Sequence, residues 1–228
     1  MNIIGREQEK HALTSYRESE RPEFLVVYGR RRVGKTFLIK EFFENDFAFY
    51  CTGRTDEGMT GQLQAFTAAL GKYGGETYEA KDNWFDAFLQ LEHLIERADV
   101  SGKKVIFIDE MPWLDTPKSG FLSAFEYFWN SFASSRPDIL LIACGSATSW
   151  IAGKLFENTG GLFNRVTKRM YIKPFTLKEC EAFFRDRGIV LNRYQIIESY
   201  MIFGGVPFYL DLFDKGYGLA QNVDMLCF

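Results

Sequence analysis

The chain has 228 residues, of which 46% are hydrophobic and 25% are charged, and its formal net charge is −3. This composition is typical of a folded globular protein and excludes a disordered or fibrous class. The small acidic excess provides no basic field that would hold a phosphate backbone, so nucleic acid is a possible but not a favoured partner. The N-terminus lacks the apolar core of a signal peptide, and no apolar run reaches the roughly 20 residues that span a bilayer. We therefore expect a cytoplasmic protein without a membrane segment.

The four cysteines, Cys51, Cys144, Cys180 and Cys227, are scattered without C-x-x-C spacing. Cys51 and Cys144 lie in apolar runs that resemble strands, which favours reduced thiols in the core over a metal site or a disulfide framework. The two histidines form no ligand cluster with them.

Short apolar runs alternate with segments whose apolar residues recur at helical spacing. In chain order the prediction is a strand at Phe24–Tyr28, a helix at Lys35–Phe43, a strand at Phe47–Cys51, helices at Gly61–Leu70 and Trp84–Ala98, a strand at Lys104–Ile108, a helix at Ser119–Ser134, a strand at Ile139–Cys144, a helix at Ser146–Phe156 and a strand at Met170–Ile172. This alternation predicts a three-layer α/β domain whose parallel sheet is covered by helices on both faces.

The strand signals end at Pro174, and short helices are predicted beyond it at Leu177–Arg187, Tyr194–Phe203 and Pro207–Phe213. The last of these follows the Gly204-Gly205 break. We therefore expect one domain over residues 1–174 and a small helical region over residues 175–228.

The segment Gly29-Arg30-Arg31-Arg32-Val33-Gly34-Lys35-Thr36 matches G-x-x-x-x-G-K-[ST], directly after a predicted strand and before a predicted helix. Its glycines let backbone N–H groups point at phosphate oxygens, and the helix adds the positive end of its dipole. Lys35 is expected to reach the β- and γ-phosphates, and Thr36 to offer its hydroxyl to Mg²⁺. The sequence therefore predicts binding of MgATP, with Phe37 included among the nucleotide contacts. The alternative is a glycine turn that leads into a basic helix.

The three arginines of this loop occupy its variable positions, where we weigh contact with the nucleotide against a solvated or acid-paired role. The chain has no [NT]-K-x-D stretch that would hydrogen-bond guanine, which favours ATP over GTP.

The run Val105–Glu110 is apolar until it ends in two carboxylates, at the edge of the sheet where α/β proteins bind ligands. We predict that Asp109 holds the magnesium ion, through water, and that Glu110 accepts a proton from the attacking water or orients it. The alternative is that both residues only end a strand. Binding is accordingly better supported than hydrolysis.

Ser146 follows the fourth predicted strand and is a candidate to sense the γ-phosphate or to position water, although serine is also a favoured helix N-cap. Arg165 precedes the fifth strand and is a candidate to stabilise the transferring phosphoryl group, from the same chain or from a neighbouring subunit. A solvent-facing arginine is the alternative. Likewise Gly204-Gly205-Val206-Pro207 could simply end one helix and begin the next.

Together these residues resemble the archaeal-type ATPase family, a prokaryotic branch of the AAA+ and signal-transducing P-loop ATPases. The resemblance covers nearly the whole chain. It rests on Ile4–Glu7, Tyr28–Thr36, Ile108–Glu110 with Pro112, Trp113 and Leu114, Cys144–Ser146, Leu162–Arg165, Pro174-Phe175, and Gly204–Pro207 with Tyr209 and Leu210.

The resemblance implies a five-stranded sheet in the order 5-1-4-3-2, followed by a helical lid. It also implies that Gly5, Arg6 and Glu7 help to frame the adenine, and that Gly205 and Pro207 close over the nucleotide. Relatives usually continue into a winged-helix region and often a nuclease-like domain, so we expect the lid here to be truncated and the effector to be a C-terminal domain or a protein partner.

These features lead to one main hypothesis, a slow Mg²⁺-dependent ATPase that acts as a conformational switch. A module that binds ATP or ADP without hydrolysis is the first alternative. An ATPase that acts on nucleic acid is the second, and it fits the acidic balance poorly.

Overall fold

A computed structural model describes residues 2–157, 162 and 164–228. Its strands form one parallel sheet, and each strand pairs with its neighbours in a single register. The strands are β1 (Glu23–Tyr28), β2 (Phe49–Thr52), β3 (Lys104–Asp109), β4 (Ile139–Gly145) and β5 (Lys168–Tyr171). Their order is β2-β3-β4-β1-β5, which confirms the predicted fold class and strand order.

The α-helices among the described residues are α1 (Glu7–Arg17), α2 (Lys35–Phe42), α3 (Met59–Gly74), α4 (Trp84–Arg97), α5 (Phe121–Ser131), α6 (Thr148–Ile151), α7 (Leu177–Asp186), α8 (Arg193–Phe203), α9 (Pro207–Leu210) and α10 (Leu219–Cys227). A π-helical segment, Ala152–Phe156, continues α6, so the predicted helix over Ser146–Phe156 begins later and is not a regular α-helix throughout. Helices α1 and α10 are not among the predicted elements.

The sheet separates two apolar cores, because successive side chains of a strand point to opposite faces. In β1, Phe24 and Val26 pack with α3, α4 and α5, whereas Leu25 and Val27 pack with α1 and α2. All four side chains are fully buried. This burial on both faces explains why the central strands are apolar without alternation.

β1 begins one residue before its predicted start, at Glu23, whereas β2 and β5 begin two residues away from theirs. The chain turns after α2 with positive φ at Glu44 and Asn45, and the amide of Phe47 bonds within that turn, so β2 starts only at Phe49. β5 starts at the polar residue Lys168 because its pairing with β1 begins there. In both cases pairing with a neighbouring strand sets the boundary, and an apolar run in the sequence does not.

The last four helices form what we call the helical segment, residues 175–228. Its own apolar core includes Phe175, Phe183, Phe184 and Phe203. Capping boxes begin α7 at Thr176 and α8 at Asn192, and Gly204, with φ 64°, ends α8. Local capping signals thus account for these helix boundaries.

Candidate nucleotide site

The loop between β1 and α2 requires its two glycines for different reasons. Gly29 has φ 143°, and a Cβ there would collide with the carbonyl group of Ile172 in the neighbouring chain segment. Gly34 has φ 87° and precedes α2, but a Cβ there would meet no atom within 4 Å. The space in front of Gly34 is therefore open, at the N-terminus of a helix where an anion is stabilised.

The side chain of Lys35, the first residue of α2, lies inside this loop. Its ammonium donates hydrogen bonds to the carbonyl oxygens of Gly29, at 3.1 Å, and Arg30, at 3.0 Å, and the side chain is buried. The loop thus wraps around a cation, which can balance the charge of phosphate oxygens.

Thr36 and Asp109 meet at the ends of α2 and β3. The Thr36 hydroxyl donates to Asp109 Oδ2 at 2.8 Å, and the amide of Glu110 donates to Asp109 Oδ1 at 3.0 Å. Asp109 is only 3% exposed. A hydroxyl and a carboxylate are hard oxygen ligands of the kind that Mg²⁺ prefers, so these two residues fit the predicted metal site.

The thiol of Cys144 lies beside this pair, on β4. Burial, reinforced by the Asp109 carboxylate, raises the pKa of Cys144 well above its ordinary value. A neutral thiol is a poor ligand for a hard cation, whereas the oxygen atoms of Thr36 and Asp109 are of the kind that suits one.

Glu110 is held in an unusual backbone conformation directly after β3, with φ 44°. Its Oε2 accepts a hydrogen bond of 3.4 Å from the hydroxyl of Ser146, which in turn accepts one of 3.3 Å from Arg31 Nε. Ser146 is not the N-cap of α6, because Ala147 occupies that position. The structure therefore connects three predicted site residues, Arg31, Ser146 and Glu110, in one chain of polar contacts.

The loop after β2 also belongs to the site, although none of its residues was predicted to do so. A Cβ at Gly53 would collide with the Glu110 carbonyl, so the two backbones touch. Gln62, which is fully buried on α3, accepts from the Arg54 amide at 3.0 Å and donates to the carbonyls of Arg54, at 2.7 Å, and Trp113, at 3.0 Å. This side chain ties the loop after β2 to the turn after β3. A buried glutamine on an amphipathic helix was the signal that could have indicated it.

Arg6 links the N-terminal segment to the loop. It is buried, its Nη2 donates to the Val33 carbonyl at 3.2 Å, and its guanidinium lies 4.8 Å from the ring centroid of Phe175. Its backbone amide donates to Glu179 Oε1 at 3.0 Å. Gly5 has φ 63°, and a Cβ there would collide with the Glu179 side chain. The predicted segment Gly5–Arg6 therefore connects the loop with the helical segment.

These elements surround one cavity of about 650 Å³. The predicted site residues that line it are Arg6, Arg31, Arg32, Val33, Gly34, Lys35, Thr36, Phe37, Glu110 and Pro207. Further lining comes from Ile3, Ile4, Phe175, Phe183, Asp186, Arg187, Phe208 and Asp211 on one side, and from Gly53, Thr55 and Trp113 on the other. Gly5, Gly29, Arg30, Asp109, Ser146 and Gly205 lie outside the described lining and contact or flank residues within it.

Arg165 is the predicted residue that the structure does not bring to the cavity. Its side chain is exposed and is not among the described lining residues. Phe163, from the stretch Leu162–Arg165 that carries the family resemblance, lies outside the described residues. Within one chain, the site is therefore assembled without Arg165.

A parallel sheet of this order, with a glycine loop between its first strand and the next helix and an acidic end to its third strand, defines the class of P-loop ATPases. The chain belongs to the archaeal ATPase family, because residues 3–213 match the family described as "ATPase domain predominantly from Archaea".

A relative and two solved structures illustrate this similarity. The chain is 30% identical to an uncharacterised protein of Methanocaldococcus jannaschii over 92% of its own length and 43% of that protein. It is also similar to a Walker-type ATPase of Pyrococcus abyssi, with TM-score 0.71 and 19% identity, over 98% of this chain and 72% of that one. The ORC2 protein of Aeropyrum pernix, solved as ADPNP and ADP complexes, gives TM-score 0.67 and 13% identity, over 92% and 61% of the two chains.

The chain thus spans less than half of the M. jannaschii protein that it matches. Among the residues that the structure describes, none of the helices is both long and apolar enough to cross a membrane.

Proposed function

We propose that this chain binds MgATP in the cavity and hydrolyses it slowly, as a conformational switch for a protein partner or a downstream domain. The observation that carries the proposal is the 2.8 Å hydrogen bond between Thr36 and Asp109, beside a loop that holds Lys35. A lysine, a hydroxyl and a carboxylate are the three groups that P-loop enzymes use to hold a triphosphate and its metal.

In this proposal the loop amides and Lys35 bind the phosphates. Thr36 and Asp109 would hold a magnesium ion, which when bound neutralises charge on the phosphate oxygens. The open space in front of Gly34 supports this placement of the phosphates, because it offers room together with the N-terminus of α2.

Glu110 is the proposed general base or orienting group for water. It lines the cavity, and its contact with Ser146 and, through it, with Arg31 would hold the carboxylate in place. Positioning of this kind is a requirement for proton transfer. Arg165 is exposed, so any action on phosphate would be that of a neighbouring subunit.

The ligand proposed is an adenine nucleotide, ATP or ADP. At one end of the cavity Ile3, Ile4, Phe175 and Phe183 offer apolar surface that suits a planar base, beside the charged side chain of Arg6. The complexes of the A. pernix protein with ADPNP and ADP support the same ligand class.

The proposal of a switch rests on the fact that two separate parts of the chain form the wall of the cavity. The phosphate loop supplies one part, and Pro207, Phe208 and Asp211 of the helical segment supply another. A nucleotide between them contacts both, and it favours whichever arrangement it binds more tightly. The helical segment therefore serves as the proposed lid, with Gly205 and Pro207 at its turn.

Phosphate release and equilibrium binding test this proposal. Lys35→Ala should abolish ATP binding. Glu110→Gln should bind MgATP normally but release phosphate about 100-fold more slowly, because the base is lost. Glu20→Gln, at an exposed position, is the matched control and should behave as the wild type.

Three results would change the proposal. Equal hydrolysis by wild type and Glu110→Gln would remove Glu110 from the mechanism. Thermal stabilisation by ATP without any phosphate release would favour the binding module instead. Salt-dependent binding to DNA in a mobility-shift titration would favour a nucleic-acid-associated ATPase.

A further inference from the structure

Arg32 joins the phosphate loop to the helical segment directly. Its Nη1 donates a hydrogen bond of 3.2 Å to the hydroxyl of Tyr209, although the two residues are 177 positions apart. The guanidinium also lies over two rings of α9, 4.3 Å from the centroid of Phe208 and 5.5 Å from that of Tyr209. The side chain is exposed, as a solvated role would require, but these contacts are with a hydroxyl and aromatic rings and not with an acidic residue.

The backbone of Arg32 has an uncommon conformation that the contacts around it must hold in place. Its φ is 70°, in the left-handed region that residues other than glycine rarely adopt. The next residue, Val33, accepts the hydrogen bond from Arg6 described above, and Arg6 also contacts Phe175. Two adjacent loop residues are thus connected to the helical segment by arginine side chains.

The aromatic rings that Arg32 meets are held at a fixed place within the helical segment. Gly205, with φ 66°, accepts a hydrogen bond of 2.7 Å from the amide of Phe175, and a Cβ at Gly205 would collide with the Phe175 carbonyl. Val206 is fully buried, and Pro207 begins α9. The turn therefore presents Phe208 and Tyr209 to the loop in one orientation.

Two of the three residues in this contact line the cavity. Arg32 and Phe208 share its wall with Gly34, Lys35 and Thr36. The guanidinium of Arg32 is directed at the helical segment, whereas its backbone belongs to the loop. If α9 moved away, Arg32 would lose the side-chain contacts that help to hold its left-handed backbone in place. If the loop changed its conformation, α9 would lose its contact with Arg32.

We propose that Arg32 is a positioning residue that couples the conformation of the phosphate loop to the placement of α9, through Phe208 and Tyr209. The proposal rests on the proposed function, since the nucleotide would bind between the two coupled elements. In this proposal the contact between Arg32 and α9 is part of the switch. MgATP binds tightly only when this contact holds the loop and α9 together.

Hydrogen–deuterium exchange on the whole chain tests the coupling in both directions, without nucleotide. Arg32→Ala should speed amide exchange in α9, and Tyr209→Phe and Phe208→Leu should each speed exchange in the loop, by up to about tenfold. Arg32→Lys keeps the charge but loses the planar guanidinium, so it should resemble Arg32→Ala. Arg193→Ala removes an exposed arginine of the same segment and should change neither region.

MgATP affinity gives a second readout. Arg32→Ala and Phe208→Leu should each weaken binding by about tenfold, and the double variant should be no weaker than the more affected single variant, because both remove one contact. Unchanged loop exchange in both Phe208→Leu and Tyr209→Phe would overturn the proposal, as would additive losses of affinity, because Arg32 would then act on the phosphates alone. A wild-type chain that fails to bind MgATP would refute the proposed function, while the exchange data would still decide the coupling.

Discussion

The hydroxyl of Thr36 donates a hydrogen bond of 2.8 Å to the carboxylate of Asp109 and so joins the start of α2 to the end of β3. Thr36 lies on the helix that follows β1, and Asp109 ends β3. These two strands are not adjacent in the sheet, because β4 lies between them. The contact between Thr36 and Asp109 places two oxygen donors beside Lys35, in the arrangement from which we propose the metal site.

The first prediction concerns the dependence of ATP binding on Mg²⁺. Mg²⁺ should increase the affinity of the wild type for ATP. In Asp109→Asn this increase should be smaller by about tenfold or more, since a neutral amide is a weaker ligand than a carboxylate. Titration calorimetry with and without Mg²⁺ measures this enhancement. Asp82→Asn, at an exposed position, is the control and should keep it. If ATP binding by Asp109→Asn depended on Mg²⁺ as strongly as in the wild type, the metal would have to bind at other residues.

A second prediction concerns the stability of the loops around Glu110. Gln62→Met has a similar size but leaves the amide and carbonyl of Arg54 and the carbonyl of Trp113 without their partner. We expect the free energy of unfolding to fall by about 2 kcal/mol, which is typical of buried polar groups left unpaired.

Urea denaturation measures this change. Gln64→Met is a matched control on the same helix, where the side chain is exposed, and should alter stability by less than about 0.5 kcal/mol. Equal stability of the two variants would mean that Gln62 does not hold the loops together.

The third prediction is a pH dependence of the contact between Glu179 and the N-terminal segment. Burial opposes ionisation of Glu179, but hydrogen bonds from the backbone amides of Thr176 and Arg6 outweigh it, and the pKa falls below its ordinary value of 4.5. A lowered folded-state pKa means that ionised Glu179 stabilises the fold above the unfolded-state pKa. That stabilisation disappears as the pH falls through the lower, folded-state pKa.

Glu179→Gln keeps an oxygen acceptor for these amides but loses the charge that strengthens both hydrogen bonds, so it should destabilise the chain by about 1 kcal/mol near neutral pH. The difference from the wild type should shrink below pH 4.5. Thermal unfolding followed between pH 7 and about pH 3 tests this. Glu7→Gln, at a position that is 79% exposed, is the control. A difference that stays constant with pH would exclude a role for the charge of Glu179.

The fourth prediction concerns thiol reactivity. Cys51, Cys144 and Cys180 are buried and Cys227 is exposed, and all four are free. Burial, followed by the charge of Glu179, raises the pKa of Cys180 to about 12, which keeps its thiol neutral and unreactive.

An aromatic disulfide reagent should therefore modify one thiol per folded chain rapidly and all four in denaturant. Cys227→Ser should remove the fast phase. Rapid modification of a second thiol in the folded chain would show that one of the buried cysteines becomes accessible.

Much of the site was predictable because its signals are local. The loop from Gly29 to Thr36 has glycine at two of its three positions with positive φ, Gly29 and Gly34, and a strand before it and a helix after it can be read from nearby residues. The same holds for the capping boxes of α7 and α8, although neither was predicted as such. Two cysteines predicted in the core, Cys51 and Cys144, are indeed buried and free.

Other elements were missed because their local signal is weak. In α1 only Leu13 is buried, and the residue before the helix, Arg6, is left-handed and offers no side-chain cap. The polar residues Lys168 and Arg169 begin β5 because they pair with β1, and β1 lies more than a hundred positions earlier in the sequence. Neither boundary follows from the residues beside it.

The sequence by itself determined the class of fold, the alternation of its strands and helices and the glycine positions of the loop, because backbone conformation and apolar periodicity depend on residues a few positions apart. Only the tertiary structure decided which distant side chains meet. It brought Arg32 to Tyr209, Gln62 to Trp113 and Ser146 to Glu110, and it left Arg165 exposed. Such contacts depend on how separate helices and loops pack around the sheet, and no short-range pattern encodes that packing.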